Sequence, residues 1–371
     1  MKLQPKDSFN FIFAGGGTGG HLFPLVAVAE QIKLNLPNSN IIFAGTKNKI
    51  ESRVIPSLGY NFIPFSISGM PRKISFKFIT FIFKLFFSLI KALIFCIKYK
   101  PHVAIGSGAY VSGPVIWAAK ITGAKIVLLE QNSFPGITNR LLEKKADKIY
   151  ISFEDSKKYF RCKDKLYLYG NPLRINITKS DKNSAKLLFG LNNANSTLVI
   201  LGGSLGAKTI NNAIEKYIEK LTENNINIIW QCGSNYYDNY KKYDNKTVKV
   251  FAFINNMGEV YSAADLIIAR AGATTIAEAA YLGLPVIFIP SPNVTDNHQY
   301  KNAKSLEDKG GAIVVKDDEA EDKIYSIIID TINNKLKLND LSENIKNFAG
   351  LDSAIKISSE IIDLAKNKHR L

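Results

Sequence analysis

The 371-residue sequence predicts an α/β protein of two Rossmann-like halves, each a doubly wound parallel sheet. Three observations carry this. Short apolar, β-like runs alternate with helical stretches, the βαβ rhythm of a parallel sheet. The rhythm breaks once, at Asn171-Pro172-Leu173-Arg174 and the polar stretch 179–184, and then resumes. Three glycine-rich loops, at 15–20, 106–113 and 202–206, each follow an apolar run.

In the first half the pattern predicts strands at 9–14, 40–44, 61–65, 102–106, 125–129 and 148–152, with a helix over 25–34 behind the first loop. In the second half strands fall near 197–201, 226–230, 248–251, 265–268, 286–289 and 312–315. An amphipathic helix over about 353–367 follows them. Between two such halves a ligand cleft is expected at the carboxyl ends of the strands.

Hydrophobic residues make up 46% of the chain and the formal net charge is +16. The charge is unevenly placed. Residues 1–174 hold 25 Lys and Arg against 9 Asp and Glu, whereas 175–371 hold 23 of each. The first half should therefore meet an anionic partner: phosphates, nucleic acid or a membrane surface. Three widely spaced cysteines, Cys96, Cys162 and Cys232, form no disulfide framework or CxxC pair and fit a reducing cytosol. The stretch MKLQPKDSFNFIF lacks the apolar region and cleavage site of a secretory signal.

The first loop, Gly15-Gly16-Gly17-Thr18-Gly19-Gly20-His21, formally matches Gly-x-Gly-x-x-Gly. A dinucleotide site also needs an acid at the end of the second strand, about 20 residues on. Residues 38–43 supply none, and Glu51 lies too far along the chain. A plain tight turn is the bland alternative, but five glycines in six positions remove more side chain than a turn needs. The second loop runs from Gly106 to Pro114. The third, Gly202 to Ala207, precedes Lys208-Thr209 and nearly matches a P-loop, except that Ala207 stands where the second glycine belongs. The only apolar run ending in Asp with enough length, Ile327–Asp330, falls in a helical pattern. The preferred reading is a loop holding a diphosphate through backbone N–H groups and the Ser204 hydroxyl.

Residues 72–100 contain seven Lys and Arg and no acid. Lys77, Lys84, Lys91 and Lys98 recur every seven residues, so on a helix they form one stripe beside Phe, Ile and Leu. A buried helix would have to bury lysines. A transmembrane helix would separate strands at 40–65 and 102–129 that share a sheet. An interfacial helix, apolar face in lipid and lysines on anionic headgroups, explains both features.

Several polar residues fall where a cleft would receive them. His21 closes the first loop, as a general base or as a phosphate-contacting helix-start histidine. Glu130-Gln131-Asn132 follow a strand. Arg174 follows a turn and reads as a phosphate contact or as an exposed interdomain arginine. Arg270 to Glu278 open a helix whose N-terminus can hold phosphate, and Glu278 can grip two ribose hydroxyls. The alternative for Glu278 is a solvated first-turn acid. Asp296-Asn297-His298-Gln299 offers hydrogen bonds to sugar hydroxyls, with N-capping by Asp296 as the plain alternative. The four histidines are scattered and no DxD or HxxxH pair occurs. No metal or other cofactor is expected, and helix ends and N–H groups would stabilise a leaving diphosphate.

Taken together, GGGTGGHLFP (15–24), GSGAYVSGP (106–114), LLEQN (128–132), GNPLR (170–174), LGGSLGA (201–207), FINNM (253–257), RAGATTIAE (270–278) and DNHQ (296–299) resemble the MurG family of peptidoglycan glycosyltransferases. The resemblance runs the length of the sequence in the right order. It implies a GT-B fold with an N-terminal acceptor and membrane domain over 1–174 and a C-terminal UDP-GlcNAc domain over 175–351. The last helix, within 352–371, would pack back on the first domain. The donor implied is UDP-GlcNAc, and the acceptor a lipid-linked MurNAc-peptide.

By motif, Thr18, Gly19 and Gly20 would line the donor sugar and phosphates, and Asn132, Arg174 and Ser204 would contact the donor. Ile254 would read uracil through its backbone. Ala273, Thr274, Thr275, Ile276, Ala277 and Glu278 would hold phosphates and ribose, with His298 or Gln299 on the GlcNAc hydroxyls. The implied reaction is inverting, metal-independent transfer to the MurNAc 4-hydroxyl, with His21 as general base. Lys77, Lys84 and Lys91 would touch the membrane. The setting implied is the cytoplasmic face of the cell membrane, peripherally bound, with wall-synthesis proteins and no nucleic acid as partners. The chain departs from the family at Leu205, where many relatives carry Gln, and at His298, where some do. Another UDP-sugar glycolipid synthase, a UDP-GlcNAc epimerase and a non-catalytic nucleotide-binding membrane protein are the rival readings.

Overall fold

The computed structural model describes residues 8–69, 76–174, 177–203 and 205–369. The chain divides into two compact units, Met1–Ile175 with Gly350–Leu371, and Asn176–Ala349.

The first unit runs β1 (Asn10–Ala14), α1 (Gly19–Asn35), β2 (Asn40–Thr46), α2 (Glu51–Ser57), β3 (Asn61–Phe65), α3 (Phe76–Tyr99), β4 (Val103–Gly106), α4 (Ala109–Ile121), β5 (Lys125–Glu130), α5 (Ile137–Leu142), β6 (Lys148–Ile151) and β7 (Leu166–Leu168). The sheet is parallel, in the order β3-β2-β1-β4-β5-β6-β7. Phe11, Ile12 and Phe13 of the central strand are fully buried, because helices cover both faces and each face needs apolar side chains. The strand order reverses between β1 and β4, and the first two glycine loops leave the carboxyl ends of those neighbouring strands.

Two elements differ from expectation. The first helix begins at Gly19, six residues before the predicted start, so His21 sits in its first turn. Glycine and an internal Pro24 both argue against helix in isolation, and only tertiary packing of Leu22 and Leu25 supports it there. Strand β7 is not among the expected strands: it has only three residues and no fully buried side chain.

Helix α3 is the crossover between β3 and β4. Ser88, Ala92 and Cys96 are buried on one side, while Ile82, Phe83, Phe86, Phe87, Ile90 and Ile94 are exposed on the other. The segment Phe78–Tyr99 is long and apolar enough to cross a membrane. Its flanking strands belong to one sheet, however, and a span would put them on opposite sides of the bilayer. Its C-terminal end is pinned by Tyr99, whose hydroxyl donates to the Asn40 carbonyl at 2.7 Å. Lys84 and Lys98 are exposed. Lys91 departs from the expected headgroup stripe: its ammonium donates to the Pro64 carbonyl at 2.5 Å and lies over the Phe65 ring. The side chain of Lys77 lies outside the described part of the structure.

The second unit runs α6 (Lys182–Leu188), β8 (Ser196–Leu201), α7 (Lys208–Glu223), β9 (Ile226–Gln231), α8 (Tyr237–Tyr240), β10 (Val248–Phe251), α9 (Met257–Ala263), β11 (Leu266–Ala269), α10 (Ala273–Leu282), β12 (Val286–Phe288), α11 (His298–Glu307), β13 (Ile313–Val314), α12 (Ala320–Ile332) and α13 (Lys335–Lys346). Its parallel sheet has the order β10-β9-β8-β11-β12-β13. Here the order reverses between β8 and β11, which release the third glycine loop and the segment 270–272.

The last helix, α14 (Ser353–His369), belongs to the first unit. Ile357, Ile361 and Ala365 join the core of Phe11, Phe13, Leu25 and Val28. Glu360 fastens it, accepting from Lys148 at 2.5 Å, the Tyr150 hydroxyl at 2.6 Å and the Tyr169 hydroxyl at 2.5 Å. Burial alone would raise the Glu360 pKa, but these donors together outweigh it and hold the carboxyl below its ordinary 4.5. The carboxylate in turn pushes the Tyr169 hydroxyl up to about 12. A depressed folded-state pKa means stability that is full above the unfolded value and lost as pH falls through the folded one. Acid below about pH 4.5 should therefore loosen α14 first, read as faster amide exchange along 353–369. Glu360→Gln should cost roughly 1–3 kcal/mol at pH 7 and flatten the stability curve between pH 5 and 3. A variant curve parallel to wild type would refute the role.

Candidate active site

In the first unit the glycine loop is held from two sides. Gly16 and Gly17 have φ of +143° and +82°, backbone that other residues rarely adopt. Glu51, 1% exposed at the start of α2, clasps them: its carboxylate accepts from the Gly17 N–H and the Thr46 N–H, both at 2.8 Å. Glu51 had been set aside because it lies far along the sequence; β2 returns it to the loop in space. On the other side, the Ser107 hydroxyl of the second loop donates to the His21 carbonyl at 2.6 Å, and the Ser112 hydroxyl to the Ala14 carbonyl at 2.6 Å. Thr18 is the N-cap of α1, and Gly19 and Gly20 begin it, so their N–H groups have no partner within the helix.

The His21 ring is oriented by the second loop. Nδ1 lies 2.7 Å from the Ser107 carbonyl oxygen and 3.2 Å from Gln131 Oε1. Both are acceptors, so Nδ1 carries a proton, and Nε2 is the nitrogen that can present a lone pair. Behind it Glu130 is buried and accepts from the Asn132 N–H at 3.0 Å, the Gly136 N–H at 3.1 Å and Asn139 Nδ2 at 2.9 Å. Burial raises its pKa against these donors and the nearby His21. This carboxyl shapes the turn that carries Asn132. The Arg174 guanidinium stacks 4.5 Å from the centre of the Phe23 ring, two residues past His21. Thr18, Gly19, Gly20, His21 and Arg174 thus gather at one end of α1.

In the second unit, α10 starts after the N-cap Gly272, leaving the N–H groups of its first turn for an anion. Thr274 adds a buried hydroxyl with no partner among the described residues, an arrangement that costs about 1–3 kcal/mol until an acceptor arrives. Glu278 is 7% exposed and accepts from the Tyr261 hydroxyl at 2.6 Å, so it is no solvated first-turn acid. Ile254 is buried and its N–H donates to Gln231 Oε1 at 2.9 Å. In the third loop a side chain at Gly206 would strike the Cys232 carbonyl, its Cβ only 2.2 Å from that oxygen. Leu205 is 64% exposed, and Ser204 lies outside the described residues.

Arg270 is committed internally, paired with Asp317 and donating to the Ile289 carbonyl at 2.9 Å. Asp296 does not cap α11. The N-cap is Asn297, without a side-chain capping bond, and both residues hold left-handed backbone at φ +55° and +51°. They present His298 and Gln299 in the first turn of α11, with Gln299 Oε1 accepting from the Ser291 N–H at 2.9 Å. The Gln299 amide nitrogen is the half left for a sugar hydroxyl. Among the described residues no three His, Cys, Asp or Glu side chains gather as a metal-binding set.

Comparison with known proteins fits this geometry. The Glycosyltransferase family 28 N-terminal domain matches residues 11–151 and its C-terminal domain residues 197–356. A Flavobacterium psychrophilum protein, named UDP-N-acetylglucosamine--N-acetylmuramyl-(pentapeptide) pyrophosphoryl-undecaprenol N-acetylglucosamine transferase, is 43% identical over 98% of this chain and 99% of its own length. The crystal structure of Acinetobacter baumannii MurG superposes with a TM-score of 0.75 at 26% identity, covering 97% of this chain and 99% of that one. A UDP-N-acetylglucosamine 2-epimerase from Listeria monocytogenes, described in its own crystal structure as putative, reaches 0.68 over 94% of each chain at 11% identity, a likeness of fold alone. The chain belongs to glycosyltransferase family 28, and within it to the MurG proteins.

Proposed function

We propose that this chain transfers GlcNAc from UDP-GlcNAc to the 4-hydroxyl of MurNAc in undecaprenyl-diphospho-MurNAc-pentapeptide, converting lipid I to lipid II. The observation that carries the reading is the end-to-end match to relatives bearing that activity in their names. UDP-GlcNAc with a lipid I analogue should yield a disaccharide lipid carrying the donor sugar. Isomerised free sugar, or binding without product, would overturn it.

The side chains divide the work. His21 Nε2 takes the acceptor hydroxyl's proton as the oxygen attacks the anomeric carbon, and UDP departs from the opposite face, giving a β-1,4 link. Negative charge growing on the diphosphate meets the first turn of α10 and the Thr274 hydroxyl. Asn132, Arg174 and Ser204 contact the donor. Thr18 to Gly20 line its sugar and phosphates. Glu278 grips the ribose hydroxyls, Ile254 reads uracil through its backbone, and Gln299 with His298 meets the GlcNAc hydroxyls.

His21→Ala should lower kcat by about 100-fold or more while the Kd for UDP-GlcNAc stays within a few-fold; turnover within a few-fold of wild type would remove the base. Glu51→Gln keeps the volume but replaces one acceptor with a donor facing an N–H. It should lower kcat by about tenfold, the size of one charged hydrogen bond, and cost about 1–3 kcal/mol of stability, so kcat is compared well below the melting transition of both proteins. Full activity would show that the clasp does not shape the loop.

The exposed face of α3 seats this enzyme on the cytoplasmic face of the membrane. Tyr110, Trp117 and Ile121 of α4, exposed on the same side of the sheet, extend that face. Lys84 and Lys98 meet anionic headgroups. Replacing Phe83 and Phe87 together by Ser should weaken binding to phosphatidylglycerol vesicles by more than about tenfold, since each buried ring contributes about 1.5–3 kcal/mol. Unchanged partition would refute the interfacial helix.

A further inference from the structure

Three consecutive acids, Asp317, Asp318 and Glu319, form the turn before α12. Acids at a helix start ordinarily stand in solvent, favoured by the dipole. Asp317 is placed differently, because its carboxylate joins two other elements. Oδ1 pairs with the Arg270 guanidinium, and Oδ2 accepts from the Thr209 hydroxyl at 2.9 Å. The side chains of the ion pair are 19% and 21% exposed, so water screens it only in part. Asp317 itself is steadied by the sheet edge: two residues before it, the Val315 N–H donates to the Phe288 carbonyl at 2.9 Å.

The two partners belong to the two turns that leave the reversed strand pair of this unit. Arg270 follows β11 and opens the turn that leads into α10. Thr209 lies in the first turn of α7, directly after the third glycine loop. That loop is tied at its start, where the Gly202 N–H donates to the Gln231 carbonyl at 3.0 Å. Gly203 and Gly206 then take left-handed backbone, and glycine gives such a loop little stiffness of its own. Its exit is tied through Thr209 to the acid that also holds Arg270.

We propose that Asp317 is a positioning residue for the donor diphosphate: by holding Arg270 and Thr209 on one carboxylate, it fixes the spacing between the third glycine loop and the first turn of α10. This rests on the reading that those two turns hold the diphosphate. A diphosphate is a two-ended ligand, and N–H groups from both turns reach it together only while the turns keep one distance. Charge by itself predicts the reverse effect. A carboxylate near an anion site repels the ligand, so its removal would tighten binding if spacing did not matter.

The test measures Kd for UDP and for uridine by NMR titration of the full-length protein, in wild type, Thr209→Val, Asp317→Ala and the double variant. Thr209→Val removes one arm of the bridge at constant charge and nearly constant shape. It should weaken UDP about fivefold and leave uridine within about twofold. Asp317→Ala should weaken UDP by about tenfold or more, also sparing uridine. Thr209→Val should add little in that background, because the acceptor it bonds is gone. A carboxylate that served folding alone would weaken both ligands alike, and equal losses overturn the proposal. So does tighter UDP binding by Asp317→Ala, the signature of charge without spacing. If wild type binds UDP no better than uridine, the diphosphate reading itself falls. If wild type prefers UDP and both single variants keep that preference in full, only the positioning role falls. Should Asp317→Ala fail to fold, Thr209→Val leaves the ion pair with Arg270 in place and makes the comparison alone.

Discussion

Each unit is arranged around the place where its strand order reverses. At such a point two crossovers leave neighbouring parallel strands in opposite directions, and the carboxyl ends stand uncovered. In the first unit the pair is β1 and β4, and in the second β8 and β11. Every glycine loop and small-residue helix start of the candidate site leaves one of these four strands. The constraint is steric and electrostatic together: a diphosphate needs backbone N–H groups at close range, and side chains there would hold it off. Glycine meets the first requirement but leaves the loop floppy, so the structure fixes it from outside. Glu51 clasps Gly17, Ser107 and Ser112 hold the carbonyls of His21 and Ala14, and Gln231 holds the Ile254 N–H.

This explains which parts were legible in the sequence. The strands were, because a central parallel strand is apolar on both faces and reads as a run: Phe11 to Phe13 and Leu198 to Leu201 are all buried. The loops were, because glycine at that density has few other uses. The clasps were not. Glu51 is 34 residues from the N–H it accepts, and no local pattern encodes that distance. The start of α1 was missed because glycine and proline disfavour helix locally while packing favours it. For Glu278 the sequence favours a ribose-gripping acid and leaves a solvated first-turn acid as the alternative, which only burial excludes. Asp296 and Asn297 have the side chains of a helix cap, yet here they serve the other property of those residues, tolerance of left-handed backbone.

Helix α3 shows the same separation between composition and placement. Composition alone permits a membrane span, a buried crossover or an interfacial helix. The sheet removes the first, since β3 and β4 must lie together. Exposure removes the second for one whole face. What is left is a crossover with an apolar side that is exposed among the described residues of its own unit, and a lysine row next to it. Even that row is not uniform. Lys91 spends its ammonium on the Pro64 carbonyl and the Phe65 ring, so it braces the helix against β3, and the free charge falls to its neighbours one heptad either way.

The polar groups of the site share one logic, that of a side chain whose second half is already bound. His21 commits Nδ1 to a carbonyl, which leaves Nε2 on the other side of the ring. Gln299 commits its oxygen to Ser291 and keeps its nitrogen. Glu278 receives the Tyr261 hydroxyl on Oε2. In each case an internal bond fixes the rotamer and, for His21, the tautomer, before any substrate arrives. A group aligned in this way loses little of any interaction it makes to ordering. The same bonds explain why these residues are buried or half-buried despite being polar: each has a partner within its own unit. Thr274 has a buried hydroxyl with no partner among the described residues, and that places an unmet demand for an acceptor at the first turn of α10, where the helix dipole already favours an anion.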